Sequence, residues 1–109
     1  MNRKNQTWIF ARRPTGEMDT DLFTLDFSSV PEPGKGEILI RALYVSVDPY
    51  MRNRMNNIPS YISPYRTGSP MEGDIVGEVV ASAVPEYATG EYVTGMLPWS
   101  RYVIARPHQ

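Results

Sequence analysis

Residues 36–52 read GEILIRALYVSVDPYMR. From Ile38 to Val47 the run is ten residues long and carries one charge, Arg41. Apolar side chains fall on both faces of its second half, which predicts a central strand covered on both sides. Asp48 and Pro49 end it. Asp is a favoured helix cap and Pro a favoured first helical residue, so DPYMRNRMNN (48–57) reads as a helix of about two turns. Asp48 and Arg52 then stand at i,i+4, as do Met51 and Met55, giving one ionic and one apolar face. On the residues alone, SVDPYMR (46–52) is either a strand-to-helix corner or part of a site.

Strand signals dominate on both sides of this run. QTWIFARR (6–13) is a short β-rich stretch closed by Pro14, with the polar loop PTGEMDTD behind it. LFTLDFSSV (22–30) places Phe23, Leu25 and Phe27 on one face and Thr24, Asp26 and Ser28 on the other, the period of a half-buried strand. PEPGKGE (31–37) is a turn cluster. NIPSYISPYRTGSPMEG (57–73) spans 17 residues with no periodicity, a length that marks a functional or mobile connection. DIVGEVVASAV (74–84), YVTGML (92–97) and WSRYVIA (99–105) complete about six strands, with turn signals every ten residues or so, the pattern of a small antiparallel barrel or sandwich. No strand–glycine loop–helix that would cradle a pyrophosphate is visible.

The length of 109 residues suits one domain, residues 1–109. A hydrophobic share of 41% against 21% charged residues is that of a globular chain. The net charge is −1 and the basic residues are scattered, which argues against nucleic-acid and anionic-membrane partners. Cysteine is absent, excluding disulfides, thiolate nucleophiles and cysteine-liganded metals. No apolar run approaches the ~18 residues of a membrane helix. MNRKNQTW (1–8) has no hydrophobic segment of a secretory signal. A soluble, cytoplasmic domain is expected. His108, a lone histidine at the chain end, reads as a solvated tail residue.

The order of parts after residue 36 resembles the N-terminal domain of the medium-chain dehydrogenase/reductase superfamily, whose fold is similar to the GroES barrel. SVDPYMRNRM, SY (60–61), GSPMEGDIVGEVV (68–80) and the closing W-S-R-Y (99–102) are similar to its zinc-independent branch, which contains the prostaglandin and 2-alkenal reductases. DPYMR is the specific element. The resemblance implies a mainly β, GroES-like, partly open barrel with one or two short helices. It implies a parent enzyme that transfers hydride from NADPH to the C=C bond of α,β-unsaturated aldehydes or ketones, works as a homodimer, and carries a Rossmann cofactor domain that this chain does not contain. The chain alone is therefore expected neither to bind NADPH nor to reduce enones.

Zinc-dependent members of the superfamily carry Cys where this chain has Ser46, and His-Glu where it has Met71-Glu72. Ser and Met are poor zinc ligands, so no metal is expected. In the resembling family the corner lines the cleft between the two domains, which makes Tyr50 and Arg52 candidate substrate-binding residues. Tyr61, in the proline-rich connection, is a third. Tyr61 and Tyr65 read equally as ligand-facing aromatics or as amphipathic plugs. Gly73 and Gly77 mark positive φ or a close strand approach, and Asp74 stands where the family usually has a second glycine. Trp99 and Tyr102 read as packing of a closing strand. Apolar surface is expected near Met51, Met55 and Tyr61, where the cofactor domain of the parent would pack. Two alternatives stay open: a self-sufficient β-barrel binding module like the co-chaperonin, against which the Pro/Tyr-rich loop argues, and a non-catalytic member of the superfamily.

Overall fold

The computed structural model describes residues 4–16, 20–48, 50–56 and 63–107. Six strands form: β1 (Lys4–Phe10), β2 (Phe23–Ser29), β3 (Ile38–Val45), β4 (Glu72–Ser82), β5 (Tyr92–Pro98) and β6 (Tyr102–Ala105). One helix, α1 (Tyr50–Arg54), follows β3, and a single 3-10 turn at Thr20–Leu22 leads into β2. Each strand falls within, or within two residues of, an apolar run noted in the sequence. The 3-10 turn was not expected. It exists to drop Leu22, fully buried, into the core, and its Leu22 carbonyl accepts the Ala11 N–H at 2.7 Å.

The pairing is antiparallel throughout. β1 and β2 make a ribbon in register from Lys4↔Ser29 to Phe10↔Phe23. The other four strands make a sheet in the order β5-β4-β3-β6. The free edge of β1 closes the gap between them. Trp8 N–H donates to the Trp99 carbonyl (2.9 Å), Trp99 N–H to Met71 (2.6 Å) and Met71 N–H back to Trp8 (2.9 Å), a closed ring of backbone bonds joining three segments. Bridges at Thr7↔Ser100 and Ile9↔Pro70 flank this ring. The result is mainly β, a curled and partly open barrel with one short helix, the layout expected.

Two cores fill it. Phe10, Leu22, Met51, Met55, Tyr65 and Met71 pack under the ribbon and α1, with Phe23 and Trp99 against them. Ile38, Ile40, Val79 and Val84 pack within the sheet. Three expectations are corrected here. The covered half of the β3 run is its first, Ile38–Ile40, whereas Leu43, Tyr44 and Val45 are exposed. β6 pairs with β3 only as far as Arg41, and register shifts at Leu39/Ile40 and Ala42/Tyr44 turn the remainder away from the core. Phe27 is exposed although Phe23 and Leu25 are half-buried, because the outer end of the ribbon runs past the core. Met51 and Met55 are 3% exposed, core residues and not surface. Their i,i+4 stripe is the face α1 lays on Phe10, Leu22 and Met71.

Candidate functional site

The corner begins where β3 leaves the sheet. Ser46 N–H donates to the Asp74 carbonyl at 2.9 Å, extending the ladder by one residue. Asp74 itself continues β4 as an exposed strand residue, so the substitution of a glycine there makes no special turn. The Ser46 hydroxyl donates to Asp48 Oδ2 at 2.8 Å, and the Asp48 carbonyl accepts the Met51 N–H at 3.1 Å. The corner is thus tied by its own short polar residues, which is why α1 starts at Tyr50.

The expected Asp48–Arg52 pair does not form. Asp48 is turned back to Ser46, and Arg52 instead donates Nη1 to Asn56 Oδ1 (2.9 Å) and Nη2 to the Gly16 carbonyl (3.3 Å). Of the three sequence candidates, Tyr50 opens α1 with its side chain outside the described part, Arg52 lies half-buried on α1, and Tyr61 lies outside the described residues, as do Pro49 and His108. Tyr65 is decided. It is buried, its hydroxyl donates to the Glu72 carbonyl at 2.8 Å, its ring meets Phe10 at 5.9 Å, and Arg54 stacks on it at 4.1 Å. It is a plug of the core.

Two recesses flank the end of β3. One, of about 390 Å³, is bounded by Trp8, Val45, Val47 and Trp99, with Gln6 and Arg101 at its polar margin. The other, of about 350 Å³, lies between Tyr44, Ser46, Asp74, Val76 and Thr94. Val45 lines both, and near it Tyr44, on one recess, is 74% exposed and Val47, on the other, is 79% exposed. An apolar strand end raised into solvent beside a polar corner offers carbon-covering walls and hydrogen-bonding groups together. Trp8 and Val47 were not singled out by the sequence. Their apolar strand context gave no sign that they face outward.

Behind the corner, Gly73 makes room for the packing. A Cβ there would lie 2.5 Å from Met51 Cε and 2.8 Å from Trp99 Nε1, so the strand passes too close for a side chain. Trp99 Nε1 is buried without a hydrogen-bond partner. Met71 is fully buried in the core beside it, whereas Ser46 is exposed. Among the described residues no three His, Cys, Asp or Glu side chains gather, and no helix is long and apolar enough to cross a membrane.

Residues 6–109 match the family described as the N-terminal domain of oxidoreductase. The chain is similar to the NADPH-dependent curcumin reductase of Escherichia coli (strain K12), 41% identical over 103 residues, which cover 94% of this chain and 30% of that protein. It is also similar to the 2-alkenal reductase (NADP(+)-dependent) of Nicotiana tabacum, 42% identical over 81 residues, covering 73% of this chain and 23% of that protein. The crystal structure of CurA from Vibrio vulnificus superposes with a TM-score of 0.90 at 38% identity, over 94% of this chain and 30% of that one. CurA in complex with NADPH, from the same organism, gives 0.87 at 38% identity, over 93% and 30%. The chain therefore spans less than a third of the length of these relatives.

Proposed function

We propose, for a chain that belongs to the family of oxidoreductase N-terminal domains in the medium-chain dehydrogenase/reductase superfamily, that it is the substrate side of an NADPH-dependent, zinc-independent reductase of enals and enones. The reading is supported chiefly by one conjunction: an exposed apolar strand end and corner, in a chain 41% identical to a curcumin reductase and 42% to a 2-alkenal reductase. Curcumin and 2-alkenals are both conjugated carbonyl compounds.

The described residues do not fit a dinucleotide. Their one helix has five residues, and no glycine loop leads from a strand into it, so amide groups are not presented to a pyrophosphate. NADPH belongs in this reading to a Rossmann domain elsewhere in the parent polypeptide, and when bound it supplies hydride. Zinc fits no better, since Met71 is packed in the core and the Ser46 hydroxyl is engaged by Asp48.

The task of this chain is to hold the acceptor. Val45, Val47, Trp8 and Trp99 cover apolar substrate carbon and exclude water from the β-carbon that receives hydride. Tyr50 donates to the carbonyl oxygen, where negative charge develops as the enolate forms, and the enolate then takes a proton at the α-carbon. Arg52 and Tyr61 are the further substrate-binding candidates in this reading. Two of the five guanidinium N–H groups of Arg52 are used by Asn56 and Gly16, leaving others for substrate. The parent acts in this reading as a cytoplasmic homodimer.

The test uses the full-length protein with NADPH and methyl vinyl ketone, against methyl ethyl ketone as the saturated control. NADPH consumption only with the unsaturated ketone, giving methyl ethyl ketone as product, is expected. An allylic alcohol product, or equal turnover of the saturated ketone, would show carbonyl reduction and sink the reading.

A further inference from the structure

We propose that Arg13 is a positioning residue for the corner, acting through α1 as one half of a reciprocal arginine clasp. A five-residue helix is too short to hold its own geometry, because nucleation costs more than so few hydrogen bonds return. Its last carbonyls also lack partners within the helix. Something outside must fix it.

Packing of Met51 and Met55 into the core fixes one face. The other constraints are ionic side chains on main-chain carbonyls. Arg13, in the segment that follows β1, donates Nη1 to the Met55 carbonyl at 2.9 Å and Nη2 to the Tyr65 carbonyl at 3.0 Å. Met55 is the first residue past α1, so Arg13 satisfies a carbonyl at the helix end, where a cation is also favoured by the backbone dipoles. The guanidinium is itself oriented, lying 5.8 Å over the ring of the buried Phe10. In return, Arg52 of α1 donates to the Gly16 carbonyl of the same segment. Each of the two segments thus lends an arginine to the backbone of the other. Tyr65 completes the tie, its N–H donating to the Arg54 carbonyl at 2.7 Å while Arg54 Nε holds the Ser63 carbonyl at 2.9 Å.

The consequence reaches the corner because α1 begins there. Met51 N–H is bonded to the Asp48 carbonyl, and Tyr50 is the first helical residue. Loosening the far end of so short a rod changes the angle at which its first residue meets the corner. A planar fork is needed to reach two carbonyls at once. Lysine, a single ammonium on a flexible stem, reproduces the charge but not the geometry.

The test compares Arg13→Ala and Arg13→Lys in the full-length protein, with Arg12→Ala as a neighbouring exposed control. Hydrogen exchange of the amides from Met51 to Asn56 is expected to quicken in Arg13→Ala, to be intermediate in Arg13→Lys, and to stay unchanged in Arg12→Ala. The kinetic arm rests on the reductase reading. There, Arg13→Ala should lower kcat/KM for methyl vinyl ketone about tenfold, with KM for NADPH unchanged. Unchanged amide exchange overturns the clasp. Faster exchange with unmoved kcat/KM makes Arg13 merely structural and overturns the positioning role. If the parent enzyme does not reduce methyl vinyl ketone at all, the reductase reading falls, and the exchange arm alone decides the clasp.

Discussion

Gly77 lies where β4 runs closest to β3: an added Cβ would collide with Ile40 Cγ2 and lie 2.9 Å from the Arg41 carbonyl oxygen. One obstacle is main chain and cannot swing aside. At Gly73 the first obstacle is the mobile tip of Met51, though Trp99 is rigid. Both Gly→Ala substitutions should destabilise, Gly77→Ala by about 1–3 kcal/mol and Gly73→Ala by less, read from urea denaturation. Equal losses would mean that backbone proximity is not what limits position 77. In the sequence, these glycines stood for either positive φ or close approach. Positive φ in fact falls on Gly36, Gly68 and Gly90, while Gly73 and Gly77 are the close-packed ones. Composition alone does not separate the two, since each demands only the absence of a side chain. At Tyr50 the substitution Tyr50→Phe deletes one hydroxyl and keeps the ring. In the full-length enzyme it should lower kcat/KM for methyl vinyl ketone about tenfold, roughly one transition-state hydrogen bond, with stability nearly unchanged. Lost stability with retained activity would make Tyr50 a packing residue.

The six strands were legible as apolar runs between turn clusters, and a partly open barrel was expected from the resemblance, but the contacts that close it were not legible. Closure depends on partners far apart in the chain, as at Asn5. This buried amide donates to the Tyr102 carbonyl at 2.9 Å and accepts the Tyr102 N–H at 2.9 Å, across 97 residues of sequence. A polar residue at the start of an apolar run carries no mark of such a role. Asn5→Ala takes this partner from both groups of Tyr102 and should cost about 1–3 kcal/mol. Asn5→Asp keeps the acceptor but sets a carboxylate against the carbonyl, and should cost at least as much at neutral pH. A tolerated Asn5→Asp in thermal melts would mean that the seam is held elsewhere. A second tie joins the turn before β3 to the residue after β6. Gly34 N–H donates to Glu37 Oε1 at 2.7 Å, and Arg106 grips Oε2 at 2.9 Å. The Gly34 bond first, and Arg106 second, hold the Glu37 carboxyl below its ordinary pKa. A depressed acid stabilises the fold above its unfolded pKa, and that contribution is lost as pH falls through the folded value. Glu37→Gln should therefore flatten the acid limb of Tm against pH. An unaltered acid limb would show that the tie is screened by solvent.

Across the whole molecule, the apolar residues left outside are more informative than those inside. Tyr44, Val45, Val47, Val76 and Met96 are all exposed around the end of β3 and the facing strands. The sequence had placed such a surface at Met51 and Met55, because an apolar i,i+4 stripe looks the same whether it faces a core or a partner domain. The β3 run misled in the opposite sense. Its two halves are alike in composition, and the bulges that turn the second half outward leave no mark in the pattern. Exposed apolar surface drives association when nothing covers it. We expect the 109-residue chain alone to self-associate as its concentration rises, through this surface. Tyr44→Lys with Val47→Lys places two charges on the most exposed part without touching either core cluster. Sedimentation velocity should show concentration-dependent association for the parent sequence and its loss in the double variant, at unchanged Tm. A strictly monomeric parent sequence would remove the surface as an association site. Association that persists in the double variant would move it to the ribbon, where Phe27 is the exposed apolar alternative.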